Sequence, residues 1–142
     1  MSGSPDVTLP SLIGVIHLPP LPGSPRFAGD LDALLASAAR DARLLAEAGF
    51  EGIVVENFGD APFVPGRVAP VTVASMTAAA IAVRAAAPKV ALGINVLRND
   101  AEAALSIAVA AGAHFIRVNV HTGARVTDQG LIEGRAHETL RL

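Results

Sequence analysis

Hydrophobic and polar positions along the chain predict four repeats of a β-strand followed by a helix. Short apolar runs predict the strands, at residues 12–16, 53–55, 90–96 and 115–120. The first run, residues 12–16, is apolar throughout, which is typical of a parallel strand that is covered on both faces. Between these runs, apolar residues recur at three- and four-residue spacing, which indicates amphipathic helices. The repeated order favours a parallel sheet with right-handed crossovers.

Residues with strong preferences for helix ends define the predicted helix boundaries. Asp30 can cap the first helix because its carboxylate can accept hydrogen bonds from free backbone N–H groups. The second helix is predicted over residues 73–87. Asn99, with Glu102 three residues later, resembles a capping box at the start of the third helix. A last helical stretch is predicted over residues 131–142.

The loop lengths indicate which edge of the sheet carries the functional site. Helix-to-strand joins are short, whereas three of the four strand-to-helix loops are long, such as residues 18–29 and 58–72. Long loops in compact domains are usually functional or disordered. In parallel β/α folds, the loops at the carboxyl ends of the strands form the site. We therefore expect the site at that edge.

Length and composition favour a single globular domain. The chain has 142 residues, which suits one domain but is short of the roughly 250 residues of a complete eight-unit barrel. Apolar residues make up 51% and charged residues 17%, which is a globular composition. Residues 1–10 are polar and contain proline, so we expect a flexible N-terminus rather than a signal peptide.

Charge and residue usage exclude several functional classes. The net charge is −2 and there is no basic run, so nucleic acid is not an expected partner. The absence of cysteine excludes disulfides, thiol catalysis and Cys-ligated zinc. The least polar stretch, residues 71–87, is too short to cross a bilayer comfortably. We therefore expect a cytoplasmic protein without a transmembrane segment.

Polar residues at the strand ends are the candidates for chemistry. Because strand side chains alternate, Arg117 and Asn119 should share the inner face of the sheet with Glu56 and Asn95. A buried charge needs a partner, so we predict an ion pair between Glu56 and Arg117. This pair either fixes geometry alone or positions the Glu56 carboxylate as a general base or substrate ligand. His17 ends the first strand before a long loop, which favours a role in the site.

Eight residues are therefore assigned to the site. The candidates for catalysis are His17, Glu56 and Arg117. The candidates for substrate binding are Asn57, Asn95, Asn119, His121 and Asp128. Oxygen-rich residues among them could bind a hard divalent cation, but no spacing motif supports a metal site. No phosphate-loop or dinucleotide motif is present, so the sequence names no cofactor.

Four unusual strings occur in order along the chain. They are IGVIHLPPLPGSP (13–25), VENFGDAPF (55–63), GINVLRND (93–100) and FIRVNVHTG (115–123), the last continuing through TDQG (127–130). Together they resemble the BtpA/SgcQ family of β/α-barrel proteins, and the resemblance covers nearly the whole chain. It implies that residues 1–142 are one domain, the (βα)4 N-terminal half of a TIM (β/α)8 barrel.

The resemblance implies a barrel of the ribulose-phosphate-binding type. It also implies polar strand ends at His17, Glu56, Asn57, Asn95, Arg117, Asn119 and His121. Family members continue well beyond this length, so strands five to eight, and the phosphate site that barrels often form at strands seven and eight, would lie outside this chain. One branch is associated with photosystem I biogenesis at the thylakoid membrane, and members from non-photosynthetic organisms are treated as enzymes of unknown reaction.

Three functions follow from these observations, and we favour the first. The chain is an enzyme, or half of one, acting on a small phosphorylated or sugar-like substrate. Alternatively, it is a non-catalytic factor for photosystem I biogenesis or stability, which would allow peripheral membrane association. A third alternative is a half-barrel that self-associates or pairs with a second half through its open first and fourth strands, or a truncated and inactive fragment.

Overall fold

The computed structural model describes residues 8–142 and contains one four-stranded parallel sheet in the order β1-β2-β3-β4. The strands are β1 (Ile13–His17), β2 (Gly52–Glu56), β3 (Ala91–Asn95) and β4 (Phe115–Ile116). The helices that follow the first three strands are α1 (Leu31–Glu47), α2 (Pro70–Ala86) and α3 (Ala101–Ala111). This alternation confirms the predicted α/β class and is the arrangement of the first half of a β/α barrel. The flexible terminus expected at residues 1–10 falls mostly on residues that lie outside the described part.

The sheet has one face covered by helices and one inner face that is more open. Ile16, Val55 and Ile94 are buried on the covered face and belong to the main hydrophobic core. Their neighbours point the other way because strand side chains alternate. Val15, on the inner face of β1, remains 43% exposed. The inner face is therefore the surface toward which residues at the strand ends can present polar groups.

Small residues allow the three long helices to pack closely over the sheet. The buried helix positions that face the core are largely alanine: Ala38, Ala42, Ala79, Ala80, Ala103, Ala104, Ala108 and Ala111. Larger side chains such as Met76, Val83 and Ile107 fill the spaces between them. The many apolar residues of the sequence are therefore buried mainly between the helices and the covered face of the sheet.

The helical stretch predicted at residues 131–142 is wrong. Residues Ala124–Thr127 (β5) and Gly130–Glu133 (β6) form an antiparallel hairpin, and only Ala136–Thr139 (α4) are helical. Ile132 is buried whereas Leu131 is exposed, which is the two-residue period of a strand. The turn of the hairpin, Asp128–Gln129, lacks the Asn-Gly or Asp-Gly signature of the commonest two-residue hairpins. The sequence therefore carried only a weak signal for a hairpin here.

The start of α3 also differs from the prediction. Asp100, not Asn99, caps the helix, because its Oδ1 accepts a hydrogen bond from the Ala103 N–H at 3.0 Å. Its Oδ2 accepts from the Val68 N–H at 2.8 Å. The Asn99 amide instead hydrogen bonds to both the C=O and the N–H of Val120. The two neighbouring residues thus join the start of α3 to the loop before α2 and to the segment after β4.

The remaining boundary differences are small. The predicted cap of α1 is confirmed, since Asp30 accepts from the Ala33 N–H at 2.8 Å. Helix α2 begins at Pro70 rather than residue 73, and proline is well suited to the first helical position. Only Phe115–Ile116 of the predicted fourth strand pair with β3.

Candidate active site

The carboxylate of Glu56 is the centre of a polar cluster at the carboxyl ends of the strands. Its Oε2 accepts hydrogen bonds from Asn95 Nδ2 at 2.5 Å and from Arg117 Nη1 at 3.0 Å. Its Oε1 lies 3.5 Å from His17 Nε2. Asn95 Nδ2 also contacts Asn119 Oδ1 at 3.3 Å. The predicted ion pair between Glu56 and Arg117 is therefore present, and five predicted site residues come together.

Parallel strand pairing places these residues in a row. In the sheet register, His17 lies opposite Glu56 and Glu56 lies opposite Asn95. The Arg117 N–H donates to the Ile94 C=O at 2.8 Å, which continues the ladder just beyond β4. The cluster is thus a direct consequence of strands that end at the same level.

A glycine makes room beneath the cluster. The ring of Phe115 lies against Gly93 on β3, where an added Cβ would come within 2.3 Å of the ring. A side chain at Gly93 would therefore displace Phe115 and the strand end that carries Arg117. Strand glycines often mark such close approaches.

Burial differs sharply among the members of the cluster. Glu56 is only 4% exposed and Asn95 is buried, whereas the side chains of His17 and Arg117 are 53% and 56% exposed. Among the described residues, both hydrogen bonds to the carboxylate end on Oε2, so the lone pairs of Oε1 carry none. The arrangement can present a carboxylate oxygen, an imidazole and a guanidinium to one small molecule.

Asn57 is buried, and both polar atoms of its side-chain amide hydrogen bond to other residues of the chain. Its Oδ1 accepts from the Leu97 N–H at 2.7 Å, and its Nδ2 donates to Asp60 at 3.1 Å. Asp60 in turn accepts from the Leu21 N–H at 2.8 Å. These contacts link the loops that follow β1, β2 and β3. Asp60 was not predicted, although its position three residues after Asn57 in a loop was a usable signal.

The other two predicted residues are Asp128, in the hairpin turn, and His121, just before the hairpin, and neither hydrogen bonds to the cluster within the described chain. Asp128 is 75% exposed and pairs with Arg98 at 3.2 Å. His121 lies at the base of the hairpin, where its C=O accepts from the Ala136 N–H at 3.1 Å. Within residues 8–142, no group of three or more His, Cys, Asp and Glu side chains is placed to hold a metal ion.

Sequence reasoning missed an aromatic surface beside the cluster. The ring of Phe58 stacks on the ring of His17, with a centroid distance of 4.4 Å and an interplanar angle of 17°. Phe63 follows at 6.2 Å from Phe58, and the guanidinium of Arg98 lies 5.2 Å from the centre of the Phe63 ring. The chain has only five phenylalanines and no tryptophan or tyrosine, so two aromatic residues in one loop were a signal.

The cluster lies on an open surface. Two cavities of about 370 and 290 Å³ lie among the neighbouring loops, and His17, Glu56 and Arg117 line neither of them. A ligand bound at Glu56 would therefore keep one side exposed unless a further layer covered the inner face. Within the described residues, no helix is both long and apolar enough to cross a membrane.

Comparisons with known proteins agree on one family. A family model described as the BtpA family matches residues 8–142. The chain is 54% identical over 132 residues to the "Photosystem I biogenesis protein BtpA" of Synechocystis, covering 92% of this chain and 45% of that protein. An uncharacterised protein of Pyrococcus furiosus is 53% identical over 136 residues, which cover 94% of this chain and 50% of the relative.

Similarity extends to eukaryotes, although it is weaker there. An uncharacterised mitochondrial protein of Caenorhabditis elegans is 35% identical over 136 residues, 93% of this chain and 49% of the relative. The chain spans about half the length of the curated relatives it matches. No solved structure matches it.

Proposed function

The chain belongs to the BtpA family, and we propose that its strand ends form half of the active site of an enzyme acting on a small phosphorylated or sugar-like substrate. Glu56 acts as the general acid or base, with His17 as its neighbour for proton transfer. Arg117 binds an anionic group of the substrate or stabilises developing negative charge. Asn95 and Asn119 orient the carboxylate and the substrate hydroxyls.

The Glu56 carboxylate is the observation that carries this proposal. One oxygen, Oε2, is held by Asn95 and Arg117, so the group cannot rotate freely. The other oxygen, Oε1, faces His17 and carries no hydrogen bond from the described residues. Sugars and phosphosugars present hydroxyl protons that such an oxygen can accept. A purely structural ion pair would be expected to use both oxygens.

The exposure of Arg117 supports an anionic substrate. Its Nη1 holds Glu56, while more than half of the side chain remains accessible. A guanidinium has five N–H donors in a planar fork, which matches the geometry of phosphate and carboxylate. Arg117 can therefore contact an anion with its outer edge without releasing Glu56.

Arg117→Met is expected to weaken binding of phosphorylated ligands by about 10- to 100-fold, because a hydrogen bond to a charged group contributes about 1.5–3 kcal/mol. The measurement is a calorimetric and NMR binding screen of sugar phosphates, each compared with its unphosphorylated sugar. Arg125→Met is the control, since Arg125 is an exposed hairpin residue whose side chain bonds only its neighbour's C=O among the described contacts. Equal loss in both variants, or no preference for phosphate, would contradict the proposal.

A non-catalytic role in photosystem I biogenesis is the second candidate function. The identity of 54% with the Synechocystis protein of that name favours it. However, an uncharacterised protein of Thermococcus kodakarensis is also 54% identical over a similar length. Identity alone therefore does not distinguish a photosystem role from another function, and a photosystem role does not explain the arrangement around Glu56 Oε1. We rank it below the enzyme.

We also propose that the open sheet pairs with a second copy of this chain. In the described residues, β1 pairs only with β2 and β4 only with β3, so the sheet has two open parallel edges. A two-fold axis along the axis of the barrel would place β4 of each copy beside β1 of the other and close eight strands. Such closure would cover Val15 and remove both edges, which otherwise favour uncontrolled pairing.

The mass of the chain in solution tests this pairing. Light scattering should give twice the 14.4 kDa of one chain. Val15→Asp should shift the protein to the monomer because it places a charge on the part of the inner face that the pairing would bury. Val109→Asp is the matched control, since Val109 is 83% exposed on α3, away from the inner face, and should leave the dimer intact. A stable, soluble monomer of the unmodified chain would rule the pairing out.

A further inference from the structure

Arg98 joins the hairpin to the loop that follows β3. Its Nε donates to Gln129 Oε1 at 2.8 Å, and its Nη2 donates to Asp128 Oδ1 at 3.2 Å. These two residues form the turn of the β5–β6 hairpin. In the part of the chain that the structure describes, every side-chain hydrogen bond from this turn to another segment ends on Arg98. The side chain is only 25% exposed.

The same guanidinium also contacts the aromatic surface that leads to the candidate active site. It lies 5.2 Å from the centre of the Phe63 ring, within the range of a cation–π interaction. Phe63 packs on Phe58 at 6.2 Å, and Phe58 stacks on His17 at 4.4 Å. His17 then lies 3.5 Å from Glu56. A continuous series of contacts therefore runs from the hairpin turn to the Glu56 carboxylate.

The His17 ring depends on this series for its orientation. The backbone of His17 is fixed by pairing with β2. Its side chain is 53% exposed. The described contacts of this side chain are the ring of Phe58 and Oε1 of Glu56. The backbone of Phe58 is held by its loop, but its side chain is exposed and its described ring contacts are His17 and Phe63, so the orientation of the ring depends on Phe63 and, through Phe63, on Arg98.

We propose that Arg98 is a positioning residue that couples closure of the β5–β6 hairpin to the orientation of His17 against Glu56. With the hairpin turn bound, the guanidinium holds Phe63, and the two phenylalanines hold the imidazole. With the turn released, the aromatic surface loosens and His17 leaves the carboxylate. The catalytic consequence of this coupling rests on the proposed function of the site, but the coupling itself does not.

The strength of the contacts makes the coupling reversible. Asp128 is 75% exposed, and ion pairs at exposed positions are weak. The hydrogen bond that Arg98 Nε donates to Gln129 Oε1 and the contact of the guanidinium with Phe63 are also single interactions of ordinary strength. Ile132 on β6 is buried against the rest of the fold, so the turn, rather than the whole hairpin, should release at equilibrium without unfolding of the sheet.

Two readouts that need no substrate test the proposal. In Arg98→Ala, amide hydrogen exchange at residues 124–133 should become about tenfold faster. Loss of the bonds between Arg98 and the turn should raise the equilibrium constant for release of the turn by about tenfold. The NMR signals of the His17 ring should lose the shift caused by stacking on Phe58. Phe58→Leu provides the reference for an unstacked His17, and the signals of His137 on α4 should not move.

Further variants separate the coupling from simple loss of a charge or a fold. Arg98→Lys keeps the charge and the cation–π contact but not the paired bonds to the turn. Compared with Arg98→Ala, it should therefore restore the His17 signals more than it slows amide hydrogen exchange in the hairpin. Phe63→Leu should free His17 while Arg98 still holds the turn. Arg40→Ala is the control, since Arg40 is exposed on α1 and its side chain bonds Ser37 of the same helix, outside this series of contacts, and it should change neither readout.

The outcomes decide between coupling and its alternatives. If Arg98→Ala loosens the hairpin while the His17 signals stay in place, Arg98 holds the hairpin without affecting the orientation of His17, and the proposal is overturned. It is also overturned if both readouts are unchanged. Failure of the sugar phosphate screen would count against the proposed function alone, because neither readout here involves a ligand.

Discussion

Replacing Glu56 with glutamine is expected to lower kcat/KM by about 10²- to 10⁴-fold, which is the usual contribution of general acid–base catalysis. The glutamine side chain has the same shape and can still accept hydrogen bonds from Asn95 and Arg117 through its remaining oxygen. It cannot take up a proton in the way a carboxylate does, and it would direct an NH2 group toward His17. The chemistry should therefore be lost while the cluster is largely preserved.

The measurement is kcat/KM for the best substrate from the sugar phosphate screen, together with the thermal unfolding of each variant. Glu102→Gln is the matched control, because Glu102 is a half-exposed carboxylate that pairs with Arg67 outside the cluster. It should retain full turnover. Unchanged turnover in Glu56→Gln would remove Glu56 from the chemistry and leave the ion pair with Arg117 as a structural feature.

Gly59→Ala should lower the free energy of unfolding by about 3 kcal/mol, at the upper end of the range for forcing atoms into a packed site. A Cβ at this position would lie 2.4 Å from Pro20 N, 2.5 Å from Pro19 C and 2.7 Å from Leu18 O. These are backbone atoms, which cannot move aside as a flexible side chain can. The Gly59 N–H also donates to the Leu18 C=O at 3.0 Å, and the clash would break this bond.

The same change should disturb the candidate active site, because Gly59 follows Phe58 and its neighbour Leu18 follows His17. Separation of the two loops would therefore weaken the stack between Phe58 and His17. Urea unfolding gives the stability, and the NMR signals of His17 report on the stack. Gly66→Ala is the control, since a Cβ there meets no heavy atom within 4 Å. A loss of less than about 0.5 kcal/mol in Gly59→Ala, the ordinary effect at an unconstrained surface site, would contradict the tight contact.

The cluster around Glu56 was predictable because it depends on the simplest property of parallel strands. Alternation of side chains fixes which residues share a face, and in-register strands bring their ends to one edge. Glu56, Asn95 and Arg117 could therefore be grouped from their positions within apolar runs, and the need to pair a buried charge indicated the ion pair. Their roles in binding or catalysis stay predictions, because a pattern of residues does not specify a ligand.

The errors occurred where local patterns were short or ambiguous. Residues 131–142 contain apolar residues that fit either a helix or a strand, and the hairpin was chosen by burial of Ile132 against the rest of the fold. Asn99 and Asp100 are both good capping residues, and one residue separates them. Asp100 is the cap because its carboxylate also reaches the Val68 N–H from a loop distant in sequence.

The sequence by itself determined the α/β class, the four parallel strands and the inner-face residues His17, Glu56, Asn95 and Arg117, because these follow from hydrophobic periodicity and side-chain alternation, which are local. Only the tertiary structure decided that both donors to Glu56 bind Oε2 while Oε1 receives no hydrogen bond from residues 8–142. It alone also decided that Asn57 and Asp60 join three loops, and that Arg98 lies between the hairpin turn and Phe63. Those features depend on distances between loops whose conformations are set by contacts among segments far apart in the chain, and no local pattern encodes them.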